Sequence, residues 1–598
     1  MLKRFAALSL FVLVFVSVAG ADVLFRNARV FDGARAVEGT DVLVRAGKIA
    51  AVGKGLTAPE GVQVLDASGK TLLPGLIDSH THAFGDALEQ ALLFGVTTEL
   101  DQFTDAAMAR SLREEQAAGR ASARADLFSA GTLVTAPGGH GTEYGMPIPT
   151  IAVPEEAQAF VDARIAEGSD WIKIVYDDGR AYGMKTPTVN AATMRAVIEA
   201  AHARKKLAVV HIGTLADARA AIEAGADGLV HLFVDRDPDP ELGRYLAQHK
   251  AFAIPTLVVL QSVTGVPGGA TLVDDARLAP YVNVQTRASL KQAFPRRPGQ
   301  PAVAYKAAEV TIKQLLAAKV PILAGSDAPN PGTSHGAALH RELELLVAAG
   351  LTPSQALASA TSVPAKAFRI EDRGRIAKGL RADLVLVDGD PTRDITATRA
   401  IAGVWKGGVP LDRATFAKKI AEADAALATA PRGLDAPVLS NFEGGAAVAA
   451  FGTMWMPSAD SIAGGKSTGE VTVVEGGAAG TAKALQVQGT IDAAIPYAWF
   501  GAMWSPNDQP MTPGNLSSKK ELRFHTKGDG KTYRVMVFAQ SKGMMPLMTT
   551  FVAGAEWTEV VVPWQTFGTD GKDIMAVIFS GGPAAGTFAF QVDEIALK

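Results

Sequence analysis

The chain has 598 residues, 48% hydrophobic and 20% charged, with a formal net charge of −3 and no cysteine. It is too long for one domain of ~100–200 residues, and its 58 basic and 61 acidic residues are well mixed, so nothing marks nucleic acid or an anionic membrane surface as a partner. Without cysteine there is no disulfide and no thiolate site, and any metal must be held by His, Asp, Glu or Lys.

The chain opens on a targeting pattern. Lys3 and Arg4 precede a continuous apolar stretch that ends in Ala19-Gly20-Ala21. That fits a signal peptide over 1–21, and the apolar run is shorter than the ~20 residues a spanning helix needs. The expectation is a periplasmic or secreted protein with no stable membrane insertion after cleavage. Residues 22–75 alternate and are punctuated by glycine, as β-strands do.

From 76 to 375 short apolar runs alternate with alanine-rich helical stretches, the pattern of βα units. Eight candidate strands follow in order: "GLIDSH", "VTTELD", "ADLFSAG", "WIKIVY", "LAVVHIG", "GLVHLF", "AFAIPTL" and "VPILAGSD". Eight such units predict a (β/α)8 TIM barrel. Residues 376–411 turn β-like again and would join 22–75 in a composite, split β-sandwich. A helical linker is expected over 412–438. Residues 439–598 are β-rich and glycine-rich, which suggests an all-β, jelly-roll-like sandwich.

The chemistry-bearing residues fall at strand ends. His80 and His82 end the first barrel strand, two apart and so on one face. Lys173 lies inside an apolar run, His211 and His231 come late in their strands, and Asp327 ends the last. In a barrel, strand C-termini converge on one rim, so these six residues could meet. Four imidazoles and a carboxylate suit zinc or a similar divalent ion.

On these motifs the chain resembles the amidohydrolase superfamily of metal-dependent hydrolases, in its imidazolonepropionase- and dipeptidase-like branch. The resemblance is carried by "PGLIDSHTH" (74–82), "WIKIVYDDG" (171–179), "AVVHIGT" (208–214), "ADGLVHLF" (226–233) and "ILAGSDAP" (322–329), and it spans about residues 22–412. It implies two divalent metal ions, zinc the leading choice. His80, His82 and Asp327 would hold one and His211 and His231 the other, with Lys173 bridging as an N-carboxylated lysine formed from carbon dioxide. It implies a metal-bridged hydroxide that cleaves an amide bond of a small substrate, a dipeptide, an N-acyl amino acid or a cyclic amide. Asp327 would be the catalytic proton shuttle. His140, in the glycine-rich loop 135–145, and Tyr176 are the substrate-binding candidates. Residues 439–598 resemble, more weakly, the galactose-binding-like domain of the complex I intermediate-associated protein.

Other readings compete. "GTSHG" (332–336) matches the serine-hydrolase elbow, but "DAPNP" before it opposes the strand an elbow needs. His335 and His340 read as lying behind the site or at the surface. Five of the seven tryptophans (455, 499, 504, 557 and 564) lie in the C-terminal region, and aromatic faces there could bind carbohydrate or a protein, or simply fill a core. The whole chain could then be a glycan or cell-envelope binding protein with a vestigial barrel. The same metal centre could also act on lactones, carbamates or phosphotriesters. A homo-oligomer is compatible with the sequence.

Overall fold

The computed structural model describes residues 22–142, 148–236, 238–295, 305–426, 431–463, 465–492, 497–508, 510–543 and 546–598. The expected signal peptide lies outside the described residues, as does the 143–147 part of the glycine-rich loop.

Alternating side chains place the first segment in a sheet. β1 (Val23–Phe31), β2 (Ala36–Arg45) and β3 (Lys48–Gly53) form an antiparallel meander. β4 (Gln63–Asp66) and β5 (Lys70–Pro74) run parallel to β1. The chain returns some 300 residues later as β13 (Leu384–Asp388), β14 (Ile401–Lys406) and β15 (Val409–Pro410) once β6 to β12 have been built between. β13 lies antiparallel to β5, with Leu386 opposite Leu72. The result is one eight-stranded sheet, in the order β15-β14-β13-β5-β1-β2-β3 with β4 beside β1. Phe25, Val42, Leu72, Leu384 and Trp405 fill its core.

The inserted strands are β6 (Leu76–Thr81), β7 (Val96–Asp101), β8 (Asp126–Ser129), β9 (Ile172–Tyr176), β10 (Ala208–Ile212), β11 (Gly228–Val230) and β12 (Phe252–Ile254). They form two parallel sheets, β6-β7-β8 and β12-β11-β10-β9. Helices follow most of them, and three are started by a short polar side chain that takes an otherwise unpaired N–H. Asp105 accepts from the Met108 amide at 2.7 Å. Asn190 accepts from Thr193 at 2.8 Å, and Thr214 and Asp217 form a reciprocal capping box. Apolar residues on the outer strand faces pack against these helices in the largest core. A second cluster gathers Ile77, Leu100, Val209 and Ile254 from these strands, and Trp171 from just before β9.

The eighth expected strand, "VPILAGSD", is not a regular strand. It is an extended segment. Leu323 N–H donates to Ala253 O at 2.9 Å on one side, and Ala324 O accepts from Ser79 N–H at 2.9 Å on the other. At Ser326 the ladder gives way, because the Asp78 carboxylate takes the Ser326 amide at 3.0 Å. On the far side, Asp170 N–H donates to Ser129 O and Val134 N–H to Lys173 O, both 2.8 Å.

Arg413–Ala426 is helical. Beyond it lie two five-stranded antiparallel sheets. One joins Met456–Ala459, Phe500–Trp504, Ile574–Gly581, Thr532–Ala539 and Leu547–Val552, and the other joins Thr468–Glu475, Lys483–Ile491, Gly586–Leu597, Glu521–Gly528 and Thr558–Pro563. Trp455, Trp504 and Trp564 are buried in the core of this region, Trp499 is buried in a small cluster with Met536 and Ile578, and Trp557 is half-buried. The five therefore do not form an exposed aromatic platform.

Candidate functional site

The sequence places five ligand candidates at strand ends, and the fold brings them together. His80 Nε2 and His82 Nε2 stand 3.3 and 3.2 Å from Asp327 Oδ1, and His231 Nε2 is 4.0 Å from Asp327 Oδ2. Ligating atoms of His80, His231 and Asp327 all lie within 4.8 Å of one another, and all three residues are buried. The His211 ring centre is 4.5 Å from that of His231, and His140 follows at 5.2 Å from His211.

Local backbone sets these directions. His231 and Asp327 adopt left-handed conformations, φ 70° and 56°. A non-glycine residue there costs about 1–3 kcal/mol, and such strain clusters at functional sites. Gly325 allows the close approach beside them, because a Cβ there would stand 2.9 Å from the His80 Cβ and 2.7 Å from Ile254.

The ring nitrogens are sorted. His82 Nδ1 faces Phe103 O at 3.2 Å and His231 Nδ1 faces Thr256 Oγ1 at 2.7 Å, leaving each Nε2 turned to Asp327. His211 Nε2 faces Asp177 Oδ2 at 3.2 Å. His80 Nδ1 and Nε2 and Asp327 Oδ1 are buried with no hydrogen-bond partner among the described residues. Leaving such groups unmet costs ~1–3 kcal/mol each, and a cation is the partner an imidazole and a carboxylate share. On this observation the residues fit a divalent metal.

Burial sets the protonation states. It holds His80 and His231 well below the ordinary imidazole range, assisted by neighbouring cationic groups, so both rings are neutral. It also pulls Lys173, only 2% exposed, down to about 7, against the fields of Asp327 and Asp101. A lysine there spends much of its time as the free amine, the form that reacts with carbon dioxide.

One expectation meets a different geometry. Tyr176 lies on the outer face of β9, packed against the cluster that contains Ile172 and Ile174. Tyr182, in the turn after β9, packs against the same cluster, and burial, then the fields of Asp177, Asp235 and Asp327, push its hydroxyl up. Of the other histidines, His335 Nδ1 pairs with Glu99 at 2.9 Å, and His340 is bonded through both nitrogens, to Thr398 Oγ1 and Phe94 O. Ser334 follows a turn rather than a strand, and its Oγ has no hydrogen-bond partner among the described residues. The elbow reading lacks both its strand and its base.

Sequence reasoning missed Asp177, although alternation gave the signal for it. With Lys173 pointing inward, Val175 and Asp177 follow it and Tyr176 cannot.

Comparison with known proteins matches this arrangement. Residues 71–412 match the amidohydrolase family, and residues 442–573 match complex I intermediate-associated protein 30 (CIA30). An imidazolonepropionase of Deinococcus radiodurans is 26% identical over 415 residues, 63% of this chain and 92% of that protein. A dihydroorotase of Pelobacter propionicus is 42% identical over 69 residues, 11% of this chain and 16% of that one. Among solved structures, a Xaa-Pro dipeptidase with methionine bound in its active site superposes with a TM-score of 0.53 at 24% identity, covering 65% of this chain and 99% of that one. Molinate hydrolase does so with a TM-score of 0.53 at 20% identity, covering 66% and 96%. The chain belongs to the amidohydrolase family, as a hydrolase of carbon–nitrogen bonds, and carries a CIA30 domain behind that part.

Proposed function

We propose that this chain is an exported, binuclear metal-dependent hydrolase that cleaves an amide bond of a small substrate: a dipeptide, an N-acyl amino acid or a cyclic amide. The observation that carries the reading is the buried set of imidazole and carboxylate atoms that have each other and no hydrogen bond. His80, His82 and Asp327 would hold one ion, His211 and His231 the other, and carboxylated Lys173 both. Zinc suits this donor set. Such ions supply a water acidic enough to attack at neutral pH and a polarised scissile carbonyl.

The chain's own groups do the rest. A carboxylate oxygen of Asp327 takes the proton of the attacking water and returns it to the leaving nitrogen. His140, whose ring centre is 5.2 Å from that of His211, would position the substrate at the rim. The hydrogen bonds at Ser129, Val134, Ala253 and Ser79 support a closed eight-stranded ring that holds these groups at fixed spacing. The opening residues 1–21 support export to the periplasm or outside the cell, where small peptides arrive. The imidazolonepropionase and dipeptidase relatives support the amide class.

The test is hydrolysis by mature protein of dipeptides, N-acyl amino acids, cyclic amides and lactones, with and without chelator. Chelator-sensitive turnover of one amide class is expected. Turnover that survives chelation contradicts the metal reading, and turnover of lactones alone contradicts the amide reading.

A further inference from the structure

Asp177 is an acid beside the site that the proposed metal chemistry leaves unused. It is buried, 6% exposed, and follows Lys173 and Val175 on the inward face. Its Oδ2 is 3.2 Å from His211 Nε2, and its Oδ1 accepts from the Gly179 amide at 2.8 Å. Its own amide donates to Thr188 Oγ1 at 3.1 Å. The carboxylate is thus held from two directions and its backbone from a third.

The opposite wall is cut to fit it. Gly213, two residues past His211, has a φ outside the left-handed region, so the backbone does not require glycine there. The space does: a Cβ on Gly213 would stand 2.4 Å from Asp177 Oδ1 and 2.7 Å from Oδ2. The segment that carries His211 therefore also makes the cradle for the carboxylate that faces it.

We infer that Asp177 is the positioning residue of His211, fixing its proton on Nε2 and thereby presenting Nδ1 to the second metal ion. This rests on the reading of His211 as a metal ligand. A neutral imidazole has one N–H and one lone pair, and a carboxylate can only accept. Facing Nε2, Asp177 therefore selects the tautomer with its lone pair on Nδ1. His82 and His231 are fixed in the opposite sense, through Nδ1, by a carbonyl and a hydroxyl. Of these three rings, His211 alone faces a carboxylate other than Asp327. That charge makes the ring a stronger donor and stops it rotating toward His140, 5.2 Å away.

The test is metal affinity, measured by competition with a colorimetric zinc chelator, on wild type, Asp177→Ala, Asp177→Asn and Gly213→Ala. Gly213→Ala keeps the carboxylate but denies it its place. Melting temperatures of the metal-free forms are taken alongside. The expectation is a loss of zinc affinity of about 10–100-fold in Asp177→Ala, a similar loss in Gly213→Ala, and a smaller one in Asp177→Asn, whose amide oxygen can still accept. Wild-type zinc affinity in both Asp177→Ala and Gly213→Ala would overturn the inference. So would a fall in metal-free melting temperature with affinity unchanged, since that marks a purely structural role. A wild type that binds no zinc would remove the premise, and with it the proposed metal centre.

Discussion

Lys173 is the residue on which the chemistry turns. An ammonium in the interior would repel the ions that four imidazoles are placed to receive. Burial resolves the conflict by drawing its pKa down to about 7, which frees the amine at neutral pH. In the proposed centre, carbon dioxide would then convert that free amine into an anionic ligand. Arginine keeps its charge when buried and cannot be carboxylated, so Lys173→Arg should lose at least about 100-fold in chelator-sensitive turnover. Isotopically labelled bicarbonate should give a carbamate carbon signal in wild type and none in the variant. A Lys173→Arg protein that turns over normally would remove the bridge.

At the scale of elements, the helix Ala337–Ala348 carries a buried acid toward the strands. Glu342 Oε2 accepts from the Val258 amide at 2.9 Å. Burial pushes its pKa up to about 8, against the amides of Leu257 and Val258 and with help from Asp78. The sign follows from linkage. Between the ordinary value of 4.5 and about 8 the folded state keeps a proton that the unfolded chain has lost, so this group's contribution to stability falls as pH rises through that window. Glu342→Gln keeps an acceptor for the Val258 amide and removes the titration. Its melting temperature should match wild type near the bottom of the window and exceed it by several degrees, roughly 2–4 °C per kcal/mol, near the top. Parallel pH curves for the two proteins would show that Glu342 does not titrate in this way.

Seven of the expected inserted strands were legible because each is an apolar run closed by glycine or a polar turn. The eighth was not, because its ladder is interrupted by a side chain, Asp78, bonding to the Ser326 amide. No periodicity encodes a bond between residues that far apart. The convergence of His80, His82, His211, His231 and Asp327 was legible from strand ends alone. Tyr176 shows a rule set aside, since the two-residue alternation from Lys173 already turns it outward.

The whole molecule has separate cores. The clusters around the strands β6 to β12 and within the β1–β5 and β13–β15 sheet share no residue with the cluster of the C-terminal sheets. Contact between the parts is polar at Gln292, whose Nε2 donates to Lys542 O at 3.2 Å. The tryptophans were open to a surface reading because hydrophobicity alone does not say which face of a sandwich a residue joins. Separate cores predict two calorimetric transitions. A bound metal stabilises only the part that binds it, so chelation should lower one transition and leave the other in place. A single transition that moves as a whole under chelator would show the two parts unfolding as one.

The central claim is that His80, His82, Lys173, His211, His231 and Asp327 form one centre for two ions. Metal content per chain, measured by elemental analysis of zinc-reconstituted, gel-filtered protein, tests it most directly. The account predicts two equivalents in wild type and a clear loss in a His80→Ala, His82→Ala variant. Wild-type protein that retains no metal, or a variant that retains as much as wild type, would contradict it.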